Sequence, residues 1–403
     1  MTTRTVYIEE SRTPIYRRIA HALGAELSRC GLEVMVVKPD GFNSLTFQQF
    51  LLKQGGAAYV SNAAGNIIQS KQPGKDEYFF ENFPGKMIFL HQDAILGGIN
   101  LLSGISKLQA WKRVAERSAH LCIEADNVQD LASVGIHRAE VVPHASEVPA
   151  TEPSLDGFDH GATFVGHAVP SIYYQPTGDS QRFRQLVDGA VQARRQDFGT
   201  PLEPSVKAYA DQALDGLGDA NDQAVLRVAQ AQWLRNQITG QTMPLRGWVF
   251  EQCDIAPLDI FGGDPAYLHN VARNLQVQRP GVGYHPAVYE PADVQRVFNK
   301  SKVSINISSL QFDHAVVNRF HDVIMSGGLC LTDARSGLAD LTSSHEDLSY
   351  RTLDDLKDRT EYFSKPENAR VRAALIKAVQ KDVAQNSGYA LLAQLIVKNL
   401  NAL

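Results

Sequence analysis

Short runs of β-branched and aromatic residues alternate along this chain with longer segments in which apolar residues recur every three or four positions, and that alternation predicts an α/β architecture. RTVYIEE (4–10) reads as a strand, PIYRRIAHALGAELSRCG as a helix and LEVMVV (32–37) as a second strand. Pro14 suits the first turn of that helix and Gly31 ends it. TFQQFLLKQ follows as a short helix, AAYVSNAA as a third strand, KMIFLHQD (86–93) as a fourth, LQAWKRVAERSA as a helix, HLCIEAD (120–126) as a fifth strand and AEVVPHA (139–145) as a sixth. Strand and helix in turn make one Rossmann-like domain. The turn after the first strand carries Glu9, Glu10, Ser11, Arg12 and Thr13 instead of a GxGxxG fingerprint, which disfavours an NAD-dependent enzyme.

A polar, Pro-containing linker near 146–160 (SEVPATEPSLDGFDH) separates this half from a second set of strands that begins at GATFVGHAV. Residues 179–242 are rich in Ala, Gln, Arg, Asp and Leu at helical spacing and predict a helical insertion of two or three helices. PLDIFGGDPAY (257–267) resumes the strand pattern, VGYHPAVYEPADVQRVFNKS adds a strand and a helix, and the chain ends in charged helices. The division expected from this pattern is 1–155 as an N-terminal Rossmann-like lobe, 156–385 as a C-terminal one carrying the insertion, and 386–403 as a C-terminal helix able to return to the N-terminal lobe.

The most informative stretch is Lys302–Asp333, where strand, polar loop, amphipathic helix and strand follow without slack. Val303, Ile305 and Ile307 supply the strand; Val317, Phe320, Ile324 and Met325 give the helix its apolar stripe; Gly327 and Gly328 stop it before LCLTD. Arg319 and Asp322 sit one turn apart near the helix start, where free N–H groups and the dipole favour an anion. A solvated helix pair worth a few tenths of a kcal/mol is the bland alternative for these two. Gly166 and His167 end the first strand of the second half, where open α/β sheets hold ligands: the Gly lets a diphosphate approach and the His can hydrogen-bond a phosphate.

Composition narrows the partners. The chain has 403 residues and a net charge of −5, which gives no electrostatic ground for general binding to nucleic acid or acidic lipid. Cys30, Cys122, Cys253 and Cys330 lack CxxC spacing and read as structural thiols in a reducing compartment. No stretch approaches a membrane span, and the N-terminus lacks the pattern of a secretory leader, so a cytoplasmic protein is expected. His-x-x-x-His or Asp-x-Asp spacing is missing from the plausible loops, so no metal is expected.

DIFGGDPAY, GYHPAVYEPADVQRVFNKSKVSINIS, NRFHDVIMSGGLCLTDARSGLADL and SYRTLDDLKDRTEYFSKPE together resemble the C-terminal half of glycosyltransferases related to the spore maturation protein CgeB. The resemblance covers roughly residues 160–400 outside the insertion; the N-terminal half agrees in architecture only. It implies a GT-B fold, two Rossmann-like lobes facing a cleft, with a nucleotide-sugar held by the C-terminal lobe and a hydroxyl acceptor by the N-terminal one. Carried onto this chain, it implies that Arg319 meets a phosphate, that Asp322 accepts from the ribose hydroxyls, that Gly327 and Gly328 allow close packing near the nucleotide, and that Tyr350 lies near the base or ribose. Such proteins usually have Glu where this chain has Asp322. For an inverting transfer, His91 or Asp93 at the end of a central strand can act as general base; His144 competes for that role, and Arg12 is a further acceptor contact. The implied function is metal-independent transfer of a sugar from a nucleotide donor to a hydroxyl of a glycan, protein or modified nucleic acid. A non-catalytic glycan- or protein-binding member of the fold and a nucleotide-sugar epimerase are the alternatives.

Overall fold

In the computed structural model, the described residues are all but 1–4, 11–12, 39–44, 54–55, 63–67, 71–76, 177–179, 215–219 and 263–280. The chain divides into two compact units. Residues Met1–Ala145, Glu203–Asn236 and Gly388–Leu403 form the first; Ser146–Leu202 and Gln237–Ser387 form the second.

The first unit is built on a six-stranded parallel sheet of β1 (Thr5–Glu9), β2 (Glu33–Val37), β3 (Ala58–Ser61), β6 (Lys86–His91), β7 (Ser118–Cys122) and β8 (Ala139–Val141), in the order β2-β1-β3-β6-β7-β8. A small antiparallel pair, β4 (Ile68–Ser70) and β5 (Glu77–Tyr78), lies apart from it. Helix Pro14–Arg29 opens with Pro14 in its first turn, where no N–H is needed. Helix Leu101–Arg113 is capped by Asn100, whose side chain accepts from the Ser103 N–H. Tyr59, Phe79, Phe80, Phe83, Phe89 and Trp111 fill the core beneath, and aromatic rings of this size supply most of the apolar area such a core buries. Helix Ala125–Ser133 goes beyond the elements read from the sequence: it is short and only Leu131 among its apolar side chains is buried, so its periodicity is faint.

The sequence pattern assigns the whole helical insertion to the C-terminal lobe. In the structure, Glu203–Asn236 groups with the first unit instead, because its contacts lie there. Val225, Val228 and Ala229 are buried in the first core. Gln232 donates to Asp130 at 2.8 Å, and the buried Arg235 pairs with Glu203. The C-terminal helix Tyr389–Ala402 also belongs here: Lys86 Nζ donates to the Leu400 carbonyl at 2.6 Å.

The second unit repeats the architecture with a different strand order. β9 (His160–Val165), β10 (Leu258–Phe261), β11 (Val282–His285), β12 (Ser301–Asn306), β13 (Cys330–Asp333) and β14 (Ser349–Tyr350) are all parallel and run β11-β10-β9-β12-β13-β14. The order reverses between β9 and β12. In such sheets the crevice outside the carboxyl ends of the strands at that reversal is the place for a ligand. The same rule marks β1 and β3 in the first sheet.

Candidate active site

Residues from two helices converge on Phe164, which β9 carries toward the reversal point of the second sheet. Arg319, at the start of helix Asn318–Met325, sets its guanidinium carbon 4.9 Å from the Phe164 ring centroid. Arg246, on helix Thr242–Gln252, lies over the same ring at 5.6 Å. Each such contact contributes roughly 0.5–2 kcal/mol.

Arg246 donates from Nε (3.1 Å) and Nη2 (2.9 Å) to the Ile307 carbonyl and from Nη1 to the His167 carbonyl at 3.1 Å. Arg319 donates from Nη1 to Oδ1 of Asn306 at 2.7 Å. All these acceptors are neutral, and among the described residues neither guanidinium forms a salt bridge. Burial lowers both arginines from their ordinary range, and the neighbouring Arg319 charge adds to it, so that Arg246 comes down to about 9. Two desolvated cations on one ring, each hydrogen-bonded to neutral oxygens, with the charge of Asp333 acting on both and that of Asp322 on Arg319, form a site suited to an anion.

The scaffold that aims them is polar and buried. Asn306, fully buried, donates from Nδ2 to Thr332 Oγ1 at 2.9 Å, which leaves its carbonyl oxygen for Arg319. Asp333 accepts from Ser308 N–H (2.9 Å) and Ser308 O–H (2.8 Å) and forms an ion pair with Arg335, pinning the end of β12. Tyr350 donates its O–H to the Asn306 carbonyl at 2.7 Å from a fully buried position. Gly166 completes the cradle: its φ is +154°, and a Cβ there would stand 2.6 Å from Arg319 Nη2. A side chain at this position would displace the guanidinium.

Among the residues proposed from sequence, Arg319, Gly166 and the backbone of His167 come together around Phe164, and Tyr350 is bonded to Asn306, which holds Arg319. His167 itself is exposed and contributes its carbonyl. Asp322 accepts from Ser146 Oγ at 2.6 Å. Gly327 and Gly328 lie at the opposite end of the helix from Arg319. A Cβ on Gly327 (φ +78°) would meet the Thr151 carbonyl at 2.8 Å, and one on Gly328 the Phe298 carbonyl at 2.7 Å, so neither position has room for a side chain.

In the first unit, His91 ends β6 beneath helix Leu101–Arg113 and is 1% exposed. Its Nε2 is 2.9 Å from Nδ1 of His120, with Trp111 edge-on at 5.2 Å. Burial, then the neighbouring His120 and Lys107, lowers its pKa well below the usual histidine value, so it is a neutral ring inside a packed layer. Asp93 follows as a partly buried loop residue whose carbonyl accepts from Asn127 at 3.5 Å. His144 is 5% exposed after β8. Arg12 lies outside the described residues.

Arg246 is the member of this site that the sequence reading did not single out. Its signal is a lone charge in TMPLRGWVF, an otherwise uncharged helix segment in which an arginine needs a reason to be half-buried.

Comparison with known proteins bears on the fold and on the C-terminal half of the chain. Residues 246–397 match the family model described as glycosyl transferase-like, a span that starts at Arg246 and includes Arg319. No curated protein sequence matches the chain. Among solved structures, Anabaena HepE in complex with UDP-glucose is similar over 99% of this chain and 100% of that one, at 9% identity and a TM-score of 0.52. T4 phage β-glucosyltransferase in complex with UDP and Mn2+ is similar over 99% and 100%, at 12% identity and 0.50. An α-glucosyltransferase in complex with UDP and a 13-mer DNA is similar over 98% and 99%, at 8% identity and 0.52. The two-lobed α/β fold is that of GT-B glycosyltransferases.

Proposed function

We propose that this protein is a glycosyltransferase that takes its sugar from a uridine diphosphate donor, in the manner of the CgeB-related enzymes its C-terminal half resembles, and moves it to a hydroxyl acceptor. The observation that carries the reading is the Arg246–Arg319 pair on Phe164, two cations that form no salt bridge among the described residues, at the reversal point of a doubly wound sheet. A diphosphate leaving group gains negative charge as the sugar–phosphate bond breaks, and preorganised guanidinium groups stabilise that charge where it develops. The two arginines can do this without a divalent ion, so transfer is metal-independent in this reading.

UDP is the nucleotide that accompanies HepE's and the T4 enzyme's sugar or product, and it is the first to test. Calorimetry with UDP, GDP, ADP and TDP on the intact protein should show UDP bound most tightly, with the same titration of Arg319→Ala weakened by about 10- to 100-fold. Absence of binding by any of the four removes the reading. Release of UDP from UDP-glucose should persist in EDTA; a strict requirement for Mn2+ would overturn metal independence alone. No helix among the described residues is long and apolar enough to cross a membrane.

A further inference from the structure

We propose that His160, Asp259 and His285 form a binding site for a divalent transition-metal ion such as Zn2+. All three belong to the second unit. His160 opens β9, Asp259 lies in β10 and His285 ends β11, the three neighbouring strands at one edge of the sheet. Asp259 stands between the two rings: its Oδ2 is 2.8 Å from Nδ1 of His160, and its Oδ1 is 2.7 Å from Nε2 of His285. The histidines are 99 and 26 positions away from the carboxylate in the chain, so no spacing motif announces the group.

The surroundings hold the three in place. Gly283 is the register partner of Asp259, and a Cβ there would stand 2.3 Å from Asp259 Oδ1 and 3.0 Å from His285 Nε2. Glycine leaves room for the contact. The Phe261 ring stacks on His285 with centroids 4.5 Å apart and meets His160 edge-on at 5.2 Å. Burial works to raise the Asp259 pKa, but the hydrogen bonds from His285 and His160 and their charges outweigh it, and the carboxyl lies below its ordinary value. The group is therefore an ionised carboxylate between two imidazoles, a donor set that favours zinc, copper or nickel over magnesium or calcium. Side-chain exposures of 39% at His285 and 20% at His160 and Asp259 leave an entry path.

Without an ion, each neutral ring donates an N–H to the carboxylate. The ion takes the place of those two protons. Nδ1 of His160 and Nε2 of His285 turn their lone pairs to it, and each ring carries its proton on its other nitrogen, so no proton is released. Bonds of about 2.0–2.2 Å put neighbouring ligand atoms of a tetrahedral ion roughly 3.3 Å apart, about half an ångström beyond the present N–O separations. The ring centroids, 6.3 Å apart, close by about 1 Å to the roughly 5 Å that tetrahedral ligation imposes. With water in the fourth position, the ion clasps β9, β10 and β11 together. It takes no part in sugar transfer, and the proposal does not rest on the donor reading.

The test is calorimetry of the untagged, chelator-treated protein with Zn2+ and with Mg2+, alongside histidine modification by diethyl pyrocarbonate located by peptide mass spectrometry. Zn2+ should bind at one ion per chain and far more tightly than Mg2+. His160→Gln and His285→Gln should each weaken Zn2+ by at least about 10-fold, the lower bound for disturbing even a ligand's own partner. In wild type, Zn2+ should shield His160 and His285 from modification, while His21, with 59% of its side chain exposed, and the exposed His167 stay reactive. No Zn2+ binding, Mg2+ binding as tight as Zn2+, unchanged Zn2+ affinity in either folded variant, or modification of His160 or His285 that Zn2+ leaves unaltered overturns the site. If a variant does not fold, the shielding of wild type decides alone.

Discussion

Arg319 and Arg246 share a ring but are held differently, and the difference is testable residue by residue. Arg246 gives three donors to backbone carbonyls, so its position follows the loops that end β9 and β12. Arg319 relies on a single side-chain oxygen, that of Asn306. Arg246→Met keeps a similar apolar stem and removes the charge, and should weaken UDP binding by about 10- to 100-fold, since charge-assisted bonds to an anion contribute about 1.5–3 kcal/mol. Asn306→Asp is the sharper test. It leaves every phosphate-facing group in place but gives Arg319 a carboxylate partner, so affinity for UDP should fall while the protein stays folded. An unchanged UDP affinity in a folded Asn306→Asp variant, measured by calorimetry, would mean that Arg319 does not meet the nucleotide.

At the scale of elements, helix Asn318–Met325 has a functional end and a packing end. Gly327 closes it with φ +78°, and an added Cβ would come within 2.8–2.9 Å of two backbone carbonyls, those of Thr151 and Glu152. Gly327→Ala therefore combines a left-handed backbone penalty with a clash and should destabilise the second unit by about 2–4 kcal/mol, read as a lowered denaturant midpoint. UDP affinity of the folded fraction should be unchanged, because Arg319 lies at the other end; a fall would return Gly327 to the nucleotide's neighbourhood. The strand–helix–strand unit around this helix is legible in the sequence, because β-branched strand residues, a 3.6-residue stripe and a double-Gly stop all agree. What periodicity cannot carry is which sheet a helix covers: Val225, Val228 and Ala229 are apolar at helical spacing whichever core they fill, and only contacts assign them to the first unit. Arg246 was hidden for a related reason, since its role depends on Phe164, eighty-two positions earlier in the chain.

Across the whole molecule, two sheets of the same architecture carry different charged groups at their reversal points: beside β9 and β12 two arginines that form no salt bridge among the described residues, and at the end of β1 the buried Glu9. The first unit adds a buried cation, Lys107, 2% exposed and 5.0 Å over the Trp111 ring. Burial lowers its pKa from the ordinary lysine value of 10.5 to about 7, with the Glu9 charge opposing the fall. The lowered value fixes the sign of a stability effect. Between about 7 and 10.5 the unfolded chain holds a proton at Lys107 that the folded chain has released, so each step up in pH in this window favours the folded state. The slope cannot exceed about 1.4 kcal/mol per pH unit from this one group. Denaturant unfolding of wild type and Lys107→Met from about pH 8 to about pH 10 isolates it, because other titrations shared by the two proteins cancel in the difference. Wild-type stability should rise relative to the Met variant over that range. A flat difference would mean that Lys107 keeps its proton in the folded protein and titrates like an exposed lysine.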